Sequence, residues 1–133
     1  MRQDTSHRRI EIVLWTLQIL LGALFLFAGT MKLSAPADAL AAQSPLPVAF
    51  LRFIGACETL GALGLVLPGV FRIRRELTRL AAIGLGIIMV GATTVSIKLG
   101  FVAAAIPFLV GVACAFIAYR RSPTRLQRAA LAR

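Results

Sequence analysis

The sequence predicts an all-α fold: a bundle of four transmembrane helices with both termini cytoplasmic and a short extracytoplasmic segment between the first two. Three observations predict it. Of the 133 residues, 59% are hydrophobic and the mean hydropathy is +0.85, outside the range of an ordinary soluble domain. Four separate stretches are each apolar over about the 20 residues a helix needs to cross a bilayer at 1.5 Å per residue. The basic residues also alternate in density from one connection to the next. The chain therefore reads as a single membrane domain over residues 1–133, with almost nothing left for a soluble one.

The first span runs from about Ile12 to Lys32. Basic residues precede it, as in a signal peptide, but it is too long for an h-region, lacks a small-x-small cleavage site and ends in "GTMKL". It is expected to be a retained helix. The segment 34–52, "SAPADALAAQSPLPVAFLR", follows. Ala37 to Gln43 is expected to form a short helix after Pro36, with Pro45 and Pro47 turning the chain into the next span. A surface lid and a plain connector are both compatible with this pattern.

The remaining spans run over about 53–70, 80–98 and 102–119, followed by a basic tail at 120–133. The connection between the last two, around Leu99 and Gly100, is very short, which predicts antiparallel neighbours. Pro107 falls early in the fourth span, where a missing N–H costs little, or else kinks it. Twelve of the fifteen basic residues lie in the N-terminal segment, the "FRIRRELTR" connection and the C-terminal tail; only Lys32, Arg52 and Lys98 lie at the opposite ends of the spans. Since positive charge is retained inside, the termini are expected to be cytoplasmic in a multi-pass protein of the cell membrane. The net charge of +10 is thus a topology signal, able also to hold anionic headgroups; no aromatic-interleaved basic motif points to nucleic acid.

Helical periodicity gives each span a small or polar face. In span one it carries Gln18, Phe25, Gly29 and Lys32; in span two Glu58 with Gly55, Gly61 and Ala62. Span three contributes Gly84, Gly91, Thr94 and Lys98, and span four Pro107, Gly111, Cys114 and Ala118. All four faces are expected to turn inward. Glu58, about 9 Å inside Arg52 at 1.5 Å per residue, then shares an outer layer with Lys32, Thr94 and Lys98.

A carboxylate in a bilayer is costly unless paired, which makes Glu58 a functional candidate with Lys32 as its charge partner. A permanent pair that only fixes helix register is the other reading. As chemistry, Glu58 and Lys32 are the candidate proton donor or acceptor and charge partner, with Lys32 or Lys98 stabilising developing negative charge; Gly29, Gly55, Thr94 and Lys98 are candidate ligand contacts. The sole histidine, His7, lies in the N-terminal segment, so no His cluster for a metal or haem is expected. Cys57 and Cys114 are separated by roughly 15 Å along the membrane normal, against about 7 Å for bridgeable Cα atoms, and are expected to be packing residues.

"LGALFLFAGTMKL", "FIGACETLGALGLVLPG", "LAAIGLGIIMVGATTVSIKLG" and "IPFLVGVACAFIAYRR" together resemble the DoxX and DoxX-like four-helix membrane proteins over nearly the whole chain. The most specific pieces are Gly29 with Lys32 and Gly55 with Glu58. One departure is Ser96 before Lys98, where such proteins often have a histidine; a proton-handling role there is in doubt for this chain. The resemblance implies a membrane redox process with a quinone-like cofactor and a partner protein in a redox complex. Two classes of function follow: a bundle that binds a quinone-like or other lipophilic molecule, or a membrane-embedded isomerase- or cyclase-type enzyme using Glu58. A small exporter fits less well, because exporters of this size carry their acid in the first span.

Overall fold

The computed structural model describes the chain from Arg2 to Ser122 and, beyond it, Arg128, Leu131 and Ala132; most of the basic tail, Arg125 and Arg133 included, lies outside the described residues. Among the described residues there are five helices and no strand: α1 (Arg2–Ser34), α2 (Ala37–Gln43), α3 (Val48–Val70), α4 (Arg75–Ile97) and α5 (Phe101–Arg120). α1, α3, α4 and α5 are long and apolar enough to cross a membrane, and together they form a multi-pass membrane bundle. The helices run past the apolar segments that announce them. α1 begins ten residues before Ile12, and α3 five before Phe53.

α1 packs along α3, α3 along α4, and α4 along α5, each pair antiparallel; α1 and α5 meet sparingly. A core of Leu14, Leu21 and Phe25 on α1, Leu65 on α3, Leu85 and Met89 on α4 and Ile117 on α5 fills the interior toward the end that carries the termini. At that end a polar clasp joins three helices. The fully buried Gln18 donates from Nε2 to the Leu65 carbonyl oxygen at 2.8 Å, and its Oε1 accepts from Arg121 Nη2 at 2.8 Å. Arg121, itself buried, also lies 3.5 Å from Glu11. The clasp closes the seam between α1 and α5 where they otherwise hardly touch.

At the other end α1 and α3 cross with almost no space between their backbones. A Cβ on Gly29 would meet Thr59 Oγ1 and stand 2.6 Å from the Gly55 carbonyl oxygen; one on Gly55 would stand 2.8 Å from Lys32 Cβ. Hydrogen side chains at both positions are what permit this approach. Thr59 fits because its hydroxyl folds back onto the Gly55 carbonyl at 2.9 Å.

The face expected to turn inward on the third span is corrected by the structure. Gly84, Gly91, Thr94 and Lys98 are exposed, and a Cβ on Gly84 or Gly91 would meet nothing within 4 Å. α4 instead buries Thr78, Ala82, Leu85 and Met89. Volume decides this: Leu85 fills the space left by Gly61 of α3, and Met89 that left by Gly111 of α5. In lipid an exposed glycine carries no solvation penalty that would force it inside.

The short helix expected after Pro36 forms as α2 and is held to α3 by Leu40, its buried residue. Three residues separate α4 from α5, and Gly100 turns there at φ 124°, a conformation L side chains rarely adopt. Pro107 lies within α5, where its ring removes the N–H that would serve the Ala103 carbonyl.

Gly29→Leu is expected to lower stability in detergent by about 1–3 kcal/mol or to prevent assembly, since backbone cannot retreat from the added side chain. Gly84→Ala, in open space, is expected to be neutral or stabilising by up to about 1 kcal/mol. Thermal unfolding of the two variants checks the difference; similar losses would contradict the crossing.

Candidate functional site

The glycine crossing brings α1 and α3 close enough for one ion pair to form between them. Lys32 Nζ donates to Glu58 Oε2 at 2.7 Å. Glu58 lies ten residues after the start of α3, about 15 Å along its axis. Its side chain is 4% exposed and that of Lys32 30%. A carboxylate at this depth is tolerable only because the ammonium reaches it directly, and Lys32 can do so because its stem lies against Gly55.

The pair lines a cavity of about 570 Å³ enclosed by α2, α3, α4 and the α2–α3 connection. Its walls are mostly apolar, with Leu40 from α2, Leu51 and Ile54 from α3, and Ile88 and Val95 from α4. Its polar lining residues are Lys32, Glu58, Gln43, Ser44, Thr94 and Ser96. Glu58 is the one carboxylate among the lining residues. α2 packs on α3 and contributes Leu40 and Gln43 to the lining, opposite the residues of α4. Phe53, Ile87 and Leu99 stand exposed around it, with Phe50 stacked on Phe53 at 6.4 Å between ring centroids.

The candidate residues divide three ways. Lys32, Glu58 and Thr94 share the cavity. Gly29 and Gly55 do not line it; they hold the crossing that delivers Lys32 to Glu58. Lys98, the residue that caps the C-terminus of α4, is exposed and outside the cavity wall. Ser96, where a histidine is common in similar proteins, does line the wall, so a hydroxyl stands there instead of an imidazole. His7 lies exposed near the start of α1, at the other end of the bundle.

Sequence reasoning passed over Cys57 as a packing residue, yet it is half-buried and lines the cavity beside Glu58, whereas Cys114 is fully buried in the core. Of the two readings of the segment after Pro36, a surface lid and a plain connector, the lining is nearer the first: α2 contributes Leu40, its one large apolar residue, and Gln43 to the cavity. Among the described residues no group of three or more His, Cys, Asp or Glu side chains is placed to hold a metal ion. A mostly apolar cavity with a few polar groups has the make-up of a small-molecule site, and its volume is in the usual range of about 300–1,000 Å³.

Four membrane-spanning helices with an intramembrane ion pair in the wall of a mostly apolar cavity define a class of small integral membrane bundle. The chain belongs to the DoxX-like family, whose model matches residues 16–119. That range begins within α1 and takes in the ion pair, α2 and every wall of the cavity. No curated protein and no solved structure matches.

Removing one partner of the pair is expected to destabilise the bundle, by an amount toward the lower end of about 3–5 kcal/mol because Lys32 is partly exposed. Lys32→Met combined with Glu58→Leu is expected to recover most of that loss. Thermal unfolding of the two single variants and the double one checks this; a double variant no more stable than the singles would contradict the pairing.

Proposed function

We propose that this protein binds a lipophilic, quinone-like molecule in the cavity between α2, α3 and α4 and serves a membrane redox process. The observation that carries the reading is the cavity itself: mostly apolar walls that include a single ion pair, between helices long and apolar enough to cross a membrane. A quinone head suits these groups. Its carbonyl oxygens are acceptors, and the Lys32 ammonium has three donors, one of which serves Glu58. Thr94 and Ser96 add hydroxyl oxygens in the same wall. When bound, such a molecule supplies reversible two-electron chemistry; the chain's own residues orient its head, exclude water and hold a proton at Glu58.

The termini are proposed to be cytoplasmic in the cell membrane, on the strength of the arginines gathered at their end of the bundle. Lys32, Glu58 and the cavity then lie toward the outer face, where a redox partner protein would meet them. A second reading, an acid–base enzyme on a hydrophobic substrate, draws on Glu58 being the one carboxylate in the wall.

The chain purified in mild detergent is expected to carry an extractable quinone or related lipid, identified by mass spectrometry. Glu58→Gln, close to isosteric, is expected to lose most of it. Equal ligand content in wild type and Glu58→Gln would overturn the reading. Turnover of a hydrophobic substrate by the chain alone would favour the enzyme.

A further inference from the structure

A second concavity, of about 600 Å³, runs along the outside of α4 and α5. Small residues make its floor: Gly86 from α4 and Gly111, Ala115 and Ala118 from α5. Its only hydroxyls are those of Thr93 and Thr94, and both donate within their own helix, to the carbonyl oxygens of Met89 and Gly91, each at 2.7 Å. The groove therefore suits hydrocarbon and offers a polar group only the two hydroxyl oxygens, their hydrogens already committed.

Two features connect this groove with the first cavity. Ile87 and Thr94 belong to the walls of both. Along α4 the groove extends from Ala82 to Thr94, about 18 Å at 1.5 Å per residue, and along α5 from Pro107 to Ala118, so it overlaps the polar cavity on α4 and runs from there nearly to the end of the bundle that carries the termini. The ion pair in the first cavity and the apolar groove that adjoins it at Ile87 and Thr94 match the polarity of an amphiphile with a polar head and a hydrocarbon tail.

We propose that the two concavities form one binding site for a single-tailed amphiphile. Its head lies at Lys32 and Glu58, and its hydrocarbon tail passes over Ile87 and Thr94 into the α4–α5 groove. This rests on the first cavity being a ligand site, and it narrows the ligand class: a tail long enough to follow about 18 Å of helix, rather than a compact apolar molecule. Any bilayer lipid meets α4 and α5 at random. A tail tethered by its bound head is instead held over the groove at high effective concentration, and the small residues let it pack closely.

The test uses the full chain in phosphatidylcholine nanodiscs and two benzoquinones with the same head, one with a single five-carbon isoprenoid unit and one with a long isoprenoid tail. Affinities are compared as mole fractions in the membrane, so that partitioning cancels. The long-tailed probe is expected to bind about ten-fold more tightly. Ala115→Phe, which fills the groove, is expected to remove that advantage while leaving the short-tailed probe's affinity unchanged. Val112→Trp fills the same groove from another position and serves if the first variant does not assemble. Leu109→Phe, exposed and outside both concavities, is expected to change neither affinity. Equal affinity of the two probes for wild type, or equal weakening of both by the groove variants, would overturn the tail site while leaving the head site standing. Failure of both probes to bind wild type would overturn the head site, and the tail site with it.

Discussion

The contact between Lys32 and Glu58 is the interaction on which the remaining arrangement depends, and it depends in turn on two glycines. A carboxylate well inside a membrane helix has little water to solvate it, so its partner must come to it. Lys32 is near the end of α1 and has a long side chain, but reach is not enough. Its stem must lie against α3, and any side chain at Gly55 would displace it. The crossing at Gly29 and Gly55 thus converts an expensive charge into a tolerable one and leaves the pair facing a cavity.

The opposite end of the bundle uses a different device. There the polar groups are turned fully inward, with Gln18 bridging the Leu65 carbonyl and Arg121. The bond to Leu65 falls within a turn of Pro68, a residue of α3 that contributes no N–H to the helix. One end is closed by a buried clasp and the other has an ion pair in a cavity wall. This asymmetry separates a structural polar cluster from a candidate site: the clasp lines neither concavity, whereas Lys32 and Glu58 line one.

Much of this was legible in the sequence, and what was not has physical causes. The four spans were legible because a hydrocarbon medium demands long apolar helices. Glu58 and Lys32 were legible because a lone acid in such a helix demands a partner. The α4 face was misread because periodicity marks a stripe of small residues without saying whether it meets protein or lipid. Gly29 and Gly55 stood out for their types, but only geometry shows that they lie at a helix crossing and outside the cavity. Arg121 was legible as one charge of a basic tail; that it folds under α1 to reach Gln18 is a tertiary fact, as is the use of α2 as a wall.

The central claim is that the cavity beside the ion pair is open to the bilayer and takes a lipophilic ligand. Cys57 lines that cavity, and Cys114, fully buried, serves as an internal reference. The most direct measurement is the alkylation rate of the two thiols in membranes by a bilayer-soluble maleimide, with and without a long-tailed quinone. The account predicts modification of Cys57, slowed by the quinone, while Cys114 stays unmodified. Equal labelling of both cysteines, or a Cys57 rate indifferent to the quinone, would contradict it.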